Sequence, residues 1–596
     1  MTFTTRPEIR GTFGVVTSTH WIASSVGFGI LEKGGNAFDA AVATGIVLQV
    51  VEPHLNGPAG DLPAILYDVS KGKPEVLCAQ GVAPAAASIE HFRGLGLNLI
   101  PGSGLLATVV PGAFDGWMLM LQDYGMLSLR DVLQPAIDYA KNGHPVLPRV
   151  AHTIASLKEF FAEEWPSSAE VWAPDGEVPE PNTNFKNPDL ANTYQRILAE
   201  AEAKCGDREG QIAAAREIWR NGFVADAIGD YLSEASVMDV SEQKNSGILT
   251  REDLANWQAF TEETVSLNYH GWQVHKTLPW SQGPVMLQAL SILKKFDLGA
   301  MDPNGDEFIH TVIEVMKLAY ADRETYYGDP EFSDIPLGYL LSDDYAAERS
   351  QLVVEKASFE QRPGRLLGLE HLADGYIARA QQDFGVTCGV SAGEPTMAHL
   401  TEKRGDTVHL DIIDRWGNMV AATPSGGWLQ SSPVVPGLGF PLNSRAQMFW
   451  LEEGVPNALA PRKRPRTTLT PSFAEKNGTQ LVFGTPGGDQ QDQWQLIWFL
   501  RFVHHGLDLQ EGMDYPLFHT DHFQGSFFPR EAKPGEMMIE PAVGQNTIDG
   551  LRARGHIVTV AEPWSIGRLT AALRHPCGTL QAAATPRLMQ AYAIGR

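Results

Sequence analysis

A threonine at the start of a strand is ordinarily a packing residue. Thr407 differs in where it stands. It opens the alternating run Thr407 to Ile413 (TVHLDII), at the point where a Gly-, Ser- and Thr-rich stretch, residues 358–401, gives way to regular patterning. A backbone break after Asp406 would leave Thr407 with a free α-amine and a hydroxyl on the same residue. Such an amine titrates at about 7.7–8.0, close to working pH, which suits a general base. It can take the hydroxyl proton, directly or through water, while the oxygen attacks an amide carbon. The same hydroxyl could first cut the Asp406–Thr407 bond by an N-to-O acyl shift. Acyl transfer also needs donors for an oxyanion. Gly487 and Gly488 follow a strand and precede a helix, where backbone N–H groups and the helix N-terminus converge. One such donor contributes about 2.7–4 kcal/mol to the transition state. The rival reading of this loop, a phosphate cradle, lacks both the GK[ST] ending and the G-x-G-x-x-G spacing. The tempting metal-ligand set is His519 and His522 (HTDH) with Asp521 between them, and His504-His505 nearby. That segment is rich in Phe and Pro, which argues against the helix its spacing would need.

Several elements must position these groups. Gly34 and Gly35 break a helix-like run from Val26 to Lys33, Asn36 can cap, and the Ala-rich stretch to about Val51 reads as a buried helix whose small side chains admit a close neighbour. Pro145 to Phe260 reads as mostly helical. Glu307 to Tyr327 carries an apolar face through Ile309, Val312, Ile313 and Met316. Asp414 to Asn418 reads as a turn, Met419 to Thr423 as a returning strand, and Gln480 to Phe483 as a strand entering the glycine loop. A helix from Gln490 to His504 follows, and short strands close the chain near Val558 to Val560 and Leu580 to Ala584. Residues 358–401 read as loop. Strand pairs with packed helices predict layered α/β structure, with strand order left open.

Bulk properties narrow the classes. The formal charge of -25 repels phosphate backbones, so nucleic acid is not an expected partner. A composition of 43% hydrophobic and 20% charged residues supplies an ordinary large globular core. Cys78, Cys205, Cys388 and Cys577 have neither metal-ligand nor disulfide-framework spacing and read as small buried hydrophobes. Met1 to Gly14 is polar, and no run reaches the roughly 18 apolar residues of a membrane span. A soluble, cytoplasmic protein without membrane contact, metal or cofactor is expected.

The chain resembles the γ-glutamyltransferase family (γ-glutamyltranspeptidases, or glutathione hydrolases) from about Gly11 to its end. The matching pieces are GGNAFDAAVA (34–43), IHTVIEVMKLAYADRETYYGDP (309–330), GDTVHLDIIDRWGNMVAAT (405–423), PRKRPRTTLTP (461–471), GTPGGD (484–489) and ATPRLMQAYAIG (584–595), in family order. The resemblance implies an α/β (α+β) fold, the four-layer αββα sandwich of N-terminal-nucleophile hydrolases. It also implies a proenzyme that cuts itself into a large subunit, residues 1–406, and a small one, residues 407–596, which stay associated as one structural unit. A homo-oligomer of such heterodimers is compatible with it. Carried over by position, Thr407 matches the nucleophile, Ser425 a second hydroxyl near its amine, Thr467 and Thr468 a hydroxyl pair at the substrate's carboxylate end, and Gly487 and Gly488 the oxyanion hole. His409 also matches a recurrent position and reads as a structural histidine.

Two anchors depart from the family pattern. Many members hold the glutamyl α-carboxylate with an Arg before an Ala-Pro pair and the α-amine with an Asp after a double Asn; here Gln80 and Gln447 fall in those places. Neither amide can neutralise a zwitterion. The expected acyl group is therefore something other than plain γ-glutamyl: glutaryl-like, as in the related cephalosporin acylases, or a small dicarboxylic monoamide such as oxamate. Arg445 is the candidate carboxylate clamp, with Arg462, Arg464 and Arg466 behind it. Pro456-Asn457 is followed almost at once by Lys463-Arg464-Pro465, so the lid found in some members should be largely absent, favouring hydrolysis over transfer. Glutathione or other γ-glutamyl amides are the alternative substrates.

Overall fold

The computed structural model describes residues 3–382 and 407–596. Two seven-stranded antiparallel sheets form its centre. One runs Tyr592–Gly595, Gly14–Ser18, Leu410–Asp414, Met419–Ala422, Leu62–Asp68, Lys73–Ala79 and Phe260–Glu263. The other runs Ile9–Gly11, Leu580–Ala584, Thr570–Arg574, Thr479–Gly484, Ser472–Lys476, Trp272–Lys276 and Val265–Tyr269. Both sheets draw strands from either side of residues 383–406.

Period-2 alternation decides which layer each side chain enters. Ile413, Met419 and Ala421 meet Phe473, Val482 and Ala572 between the sheets. Leu410, Ile412 and Val420 face the opposite way, into a core shared with the helices Trp21–Glu32, Ala37–Val51 and Ala113–Tyr124. On the second sheet Ala474, Leu481 and Phe483 pack against the helices Pro284–Leu293, Asp306–Tyr326 and Gln491–His505. The result is the four-layer αββα sandwich.

The Ala37–Val51 helix starts where the sequence places it. Asn36 accepts from the backbone N–H groups of Phe38 and Asp39, Asp39 accepts in return from Asn36 N, and Asn36 Nδ2 reaches Tyr124 O at 2.7 Å. Its small residues do admit a close neighbour: a Cβ on Gly45 would lie 2.1 Å from the Trp117 ring. Asp414 then ties this helix to the central hairpin. Its Oδ1 accepts from the N–H groups of Trp416, Gly417 and Asn418, and its Oδ2 accepts from Ala37 N.

Some expectations need correction. Regular pairing begins at Leu410 rather than Thr407, which forms an isolated bridge. Residues 358–401 are not all loop: Glu370–Arg379 is a helix that buries Leu372, Ala373 and Tyr376, and Gly375 in its middle had masked the pattern. The strand Ile557–Val560 belongs to a separate three-stranded sheet with Phe518–Thr520 and Glu536–Ile539. Cys78 is buried, but Cys205 is half-buried and Cys577 exposed, so burial does not describe all the cysteines; Cys388 lies outside the described residues. No helix among the described residues is long and apolar enough to cross a membrane.

Asn36→Ala removes a cap used twice and a tertiary hydrogen bond. It should lower unfolding free energy by roughly 1–2 kcal/mol, read as a reduced urea midpoint with unchanged slope.

Candidate active site

Thr407 lies at the head of the central strand and is fully buried. Its partner across the ladder is Ser425, and Ser425 in turn bridges Asp61. Asp61 N donates to Ser425 O at 2.7 Å, Ser425 N donates to Asp61 O at 3.1 Å, and Val408 N donates to Pro424 O at 3.1 Å. Directly paired residues project from the same face of a sheet, so the Thr407, Ser425 and Asp61 side chains lie side by side. The Thr407 hydroxyl donates to Ser425 Oγ at 3.2 Å, and Gln491 Nε2 approaches Thr407 Oγ1 at 3.5 Å. The strip is tight: a Cβ on Gly60 would meet Ser425 O at 2.1 Å, and one on Gly57 would meet Gly427 O at 2.3 Å. Asp406 lies outside the described residues.

His409 is a structural residue, as expected. Its Nδ1 and Nε2 pair with Thr423 Oγ1 and Asp411 Oδ1, each at 2.9 Å, and Gly484 packs against its ring.

The glycine loop has the geometry its sequence demands. Gly487 (φ 133°) and Gly488 (φ 57°) adopt a left-handed backbone, and a Cβ on Gly487 would lie 2.2 Å from the Trp494 ring. A short 3-10 turn, Gly488–Gln490, leads into the helix Gln491–His505. A network that sequence reasoning did not connect fixes this loop. Gln282 Nε2 donates to Gly488 O at 3.3 Å, and Gln282 Oε1 accepts from Arg323 Nη1 at 2.6 Å. Arg323 pairs with Asp489, which also accepts from Ser526 N at 2.8 Å, while Tyr320 OH donates to Asp489 O at 2.6 Å. Burial pushes the Asp489 carboxyl up, but Arg323 and then Arg466 more than offset it and hold it below its ordinary range. Tyr320, Arg323 and Asp489 all fall within the family pieces quoted above, which was the available signal.

The candidate substrate residues separate into two groups. Gln80 and Arg445 converge on Asp61: Gln80 Nε2 donates to Asp61 Oδ1 at 3.3 Å, and Arg445 Nε donates to Asp61 Oδ2. All three are fully buried, and the Arg445 guanidinium lies over the Trp428 ring, 5.0 Å from its centroid. Gln447 is elsewhere engaged. Its Nε2 donates to Ser444 O (3.0 Å), Ser444 Oγ (3.1 Å) and Gly102 O (3.3 Å), and its Oε1 accepts from Phe528 N (3.1 Å), so its amide ties loops together. Arg464 is bound to Asp329 and Glu262, and Arg466 to Glu324 and Ser526. These arginines hold the framework, while Arg462 lines a surface groove of about 290 Å³ with Arg464 and Asp329. Thr467 and Thr468 are buried; Thr467 N donates to Trp280 O at 2.8 Å. Between Pro456 and Lys463 the chain makes a tight turn, with Trp450 N on Asn457 O and Leu459 N on Trp450 O, and no inserted lid.

His519 and His522 do not assemble a ligand set. His519 sits on a strand, and His522 accepts from Gly535 N and bonds Glu360 O. Among the described residues, His310, Glu314 and His556 are the group whose ligand atoms do converge, but both Glu314 oxygens already pair with Lys317 and Arg362.

The Gamma-glutamyltranspeptidase family profile matches residues 23–595. The chain belongs to that family. It is similar to the Glutathione hydrolase-like YwrD proenzyme of Bacillus subtilis (strain 168), 30% identical over 586 residues, covering 97% of this chain and 98% of the relative. Among solved structures it is similar to LmbA2991HD, with a TM-score of 0.91, 49% identity and full coverage of both chains. It is also similar to the cephalosporin acylase from Bacillus halodurans, with a TM-score of 0.81 and 28% identity, covering 99% of this chain and 97% of the other. Family and fold together make this an enzyme of the N-terminal-nucleophile type, an autoprocessing amidohydrolase related to the cephalosporin acylases.

Burial pushes the Asp61 carboxyl from its ordinary 3.8 up to about 6, despite the opposing pull of Arg445 and Gln80. A raised carboxyl value favours the folded state fully below the unfolded value, and that contribution is lost as pH rises through the folded value. Asp61→Asn should therefore flatten the fall of unfolding free energy between pH 4 and 7, measured by urea titration at each pH against the unsubstituted chain.

Proposed function

We propose that the chain cuts itself between Asp406 and Thr407 and then hydrolyses amides through an acyl-enzyme on Thr407 Oγ1, with residues 1–406 as the large subunit and 407–596 as the small one. The observation that carries this reading is the 3.2 Å contact of Thr407 Oγ1 with Ser425 Oγ at the head of the central strand, in a chain that matches the family over residues 23–595. Once freed, the Thr407 α-amine accepts the hydroxyl proton as the oxygen attacks the amide carbon. The oxyanion draws on the N–H groups of Gly487 and Gly488. Collapse breaks the C–N bond, and the ammonium returns its proton to the leaving amine. Water then attacks the ester with the same amine as base, releasing the acid and restoring Thr407. Ser425 orients the hydroxyl, and Thr467 and Thr468 stand at the substrate's carboxylate end.

The acyl group we assign is not plain γ-glutamyl but glutaryl-like or a small dicarboxylic monoamide. A charged hydrogen bond contributes about 1.5–3 kcal/mol, so losing both zwitterion anchors to Gln80 and Gln447 could weaken glutamyl binding by ~10²-fold or more. The alternative is a glutathione hydrolase or γ-glutamyltransferase. The name of the B. subtilis relative favours it, as does the presence of one cation and one anion, Arg445 and Asp61, in a single cluster.

Two measurements test these readings. On a denaturing gel with mass spectrometry, the unsubstituted chain should give two fragments joining at Asp406/Thr407, and Thr407→Ala one intact chain; Thr407→Ser should still process, more slowly. An active preparation consisting of a single uncut polypeptide would refute the mechanism. For specificity, kcat/KM should be higher for glutaryl than for γ-glutamyl anilides, with little acceleration by glycylglycine; a strong glutamyl preference would favour the alternative.

A further inference from the structure

Gln491 was not singled out by the sequence, yet its side chain reaches the proposed nucleophile. It opens the helix Gln491–His505, directly after the glycine loop, and is fully buried. Its amide is oriented from the far end. Thr470 N donates to Gln491 Oε1 at 3.2 Å, and a backbone N–H can only face the oxygen, so Nε2 is the atom that stands 3.5 Å from Thr407 Oγ1. Thr470 is itself held from several sides. Its Oγ1 donates to Asp492 Oδ1 at 3.1 Å, and its carbonyl accepts from Gln495 Nε2 at 3.0 Å and Lys276 Nζ at 3.3 Å. Lys276 and Asp492 are buried and pair at 2.9 Å. The first two turns of one helix thus hold Thr470, and Thr470 in turn aims one neutral N–H at the Thr407 hydroxyl oxygen.

The two side-chain contacts at Thr407 Oγ1 differ in kind. The hydroxyl gives its proton to Ser425 Oγ at 3.2 Å, whereas the Gln491 amide gives a hydrogen to the hydroxyl oxygen. A hydroxyl donates once and accepts twice, so both can be made together. Once acylated, Oγ1 is an ester oxygen with no proton to give, and the Gln491 contact is of the kind that survives that change.

The charge on Oγ1 changes most in the step that breaks its bond to the acyl carbon. During amide cleavage Oγ1 stays bonded to carbon while the C–N bond breaks. During deacylation water adds to the ester carbon and its proton passes to the α-amine. The C–Oγ1 bond then breaks, its electron pair stays on Oγ1, and the ammonium returns the proton there. An N–H aimed at Oγ1 stabilises the departing oxygen more than it stabilises the ester, and only such a difference speeds a step. The 3.5 Å separation is compatible with this, because catalytic hydrogen bonds are often long before substrate binds and tighten in the transition state.

We infer that Gln491 is a catalytic residue of the second half-reaction, its Nε2–H donating to Thr407 Oγ1 as that oxygen leaves the acyl carbon. It transfers no proton. Its task is separate from that of the proposed glycine-loop donors, which serve the carbonyl oxygen in both half-reactions. This inference rests on the Thr407 acyl-enzyme reading and adds a residue to it.

The test follows both half-reactions on processed protein with glutaryl and γ-glutamyl p-nitroanilides. Release of p-nitroaniline after rapid mixing reports acylation, and mass spectrometry of acid-quenched samples follows the acyl group on the small fragment. Gln491→Met keeps the length of the side chain and removes the donor. Gln491→Glu keeps an oxygen facing Thr470 N and, ionised, also lacks the donor; it should show the same pattern. Each variant is first checked for two fragments on a denaturing gel. Loss of the acyl group should slow about ten-fold, as for one neutral hydrogen bond, so that acylated fragment accumulates. Then kcat and KM fall together, while kcat/KM, which reports acylation, stays within about two-fold. A residue that merely held the glycine loop would lower acylation as well, and kcat/KM with it. Variants that accumulate no acylated fragment, or whose kcat/KM falls as far as kcat, would overturn the inference and leave the Thr407 reading standing. Unchanged activity in Thr407→Ala would instead overturn the Thr407 reading.

Discussion

The cross-strand placement of Ser425 between Thr407 and Asp61 is the constraint on which the site depends. Three residues from three segments of the chain share one face because their backbones are paired directly. That pairing requires the Gly57 to Gly60 segment to approach the Ser425 to Gly427 segment to within the radius of a single methyl group, which only glycine permits. The proposed nucleophile and the Asp61 segment are thus held in register by backbone pairing rather than by their own side chains. A side-chain substitution at Asp61 then leaves the backbone pairing beside Thr407 in place.

The second fixed element is the glycine loop. Its left-handed residues would be free to adopt other conformations were they not held. Tyr320 and Arg323 from the Asp306–Tyr326 helix, with Gln282 and Ser526 from loops, converge on Gly488 and Asp489, and Arg323 is stacked over Tyr320 and Phe523. Buried charges are tolerated here because each has a partner: Arg323 with Asp489 and Glu324, Arg466 with Glu324, and Lys276 with Asp492. The loop and the Thr407 strip are joined through Gln491, which reaches both Thr470 N and Thr407 Oγ1.

Local signals in the sequence were reliable where one short segment carries the whole interaction. The Asn36 cap, the Asp414 to Asn418 turn, the Thr479–Gly484 strand and the helix after the glycine loop all fall within a few residues of their expected places. The four-layer arrangement came from the resemblance, since periodicity does not order strands. Asp61 carried no local mark: its partner Arg445 is 384 residues away, and a carboxylate beside Gly60 looks like any loop residue. Gln447 read as a substrate group because only its aligned position was visible; its four internal hydrogen bonds come from Gly102, Ser444 and Phe528, which only the folded chain brings together. Arg464 and Arg466 looked like a solvated basic stretch or a spare clamp for the same reason.

The interleaving of strands has a consequence for the life of the molecule. The Leu410–Asp414 strand lies between Gly14–Ser18 and Met419–Ala422, and Tyr592–Gly595 closes the edge beside Gly14–Ser18. The proposed cut after Asp406 would remove no ladder hydrogen bond between the described strands, so the nicked protein would keep both sheets. Once melted, however, the two pieces must find each other by diffusion before any central strand can pair. Recovery would then become second order in protein, and dilution, which leaves the folded molecule untouched, would defeat its renaturation.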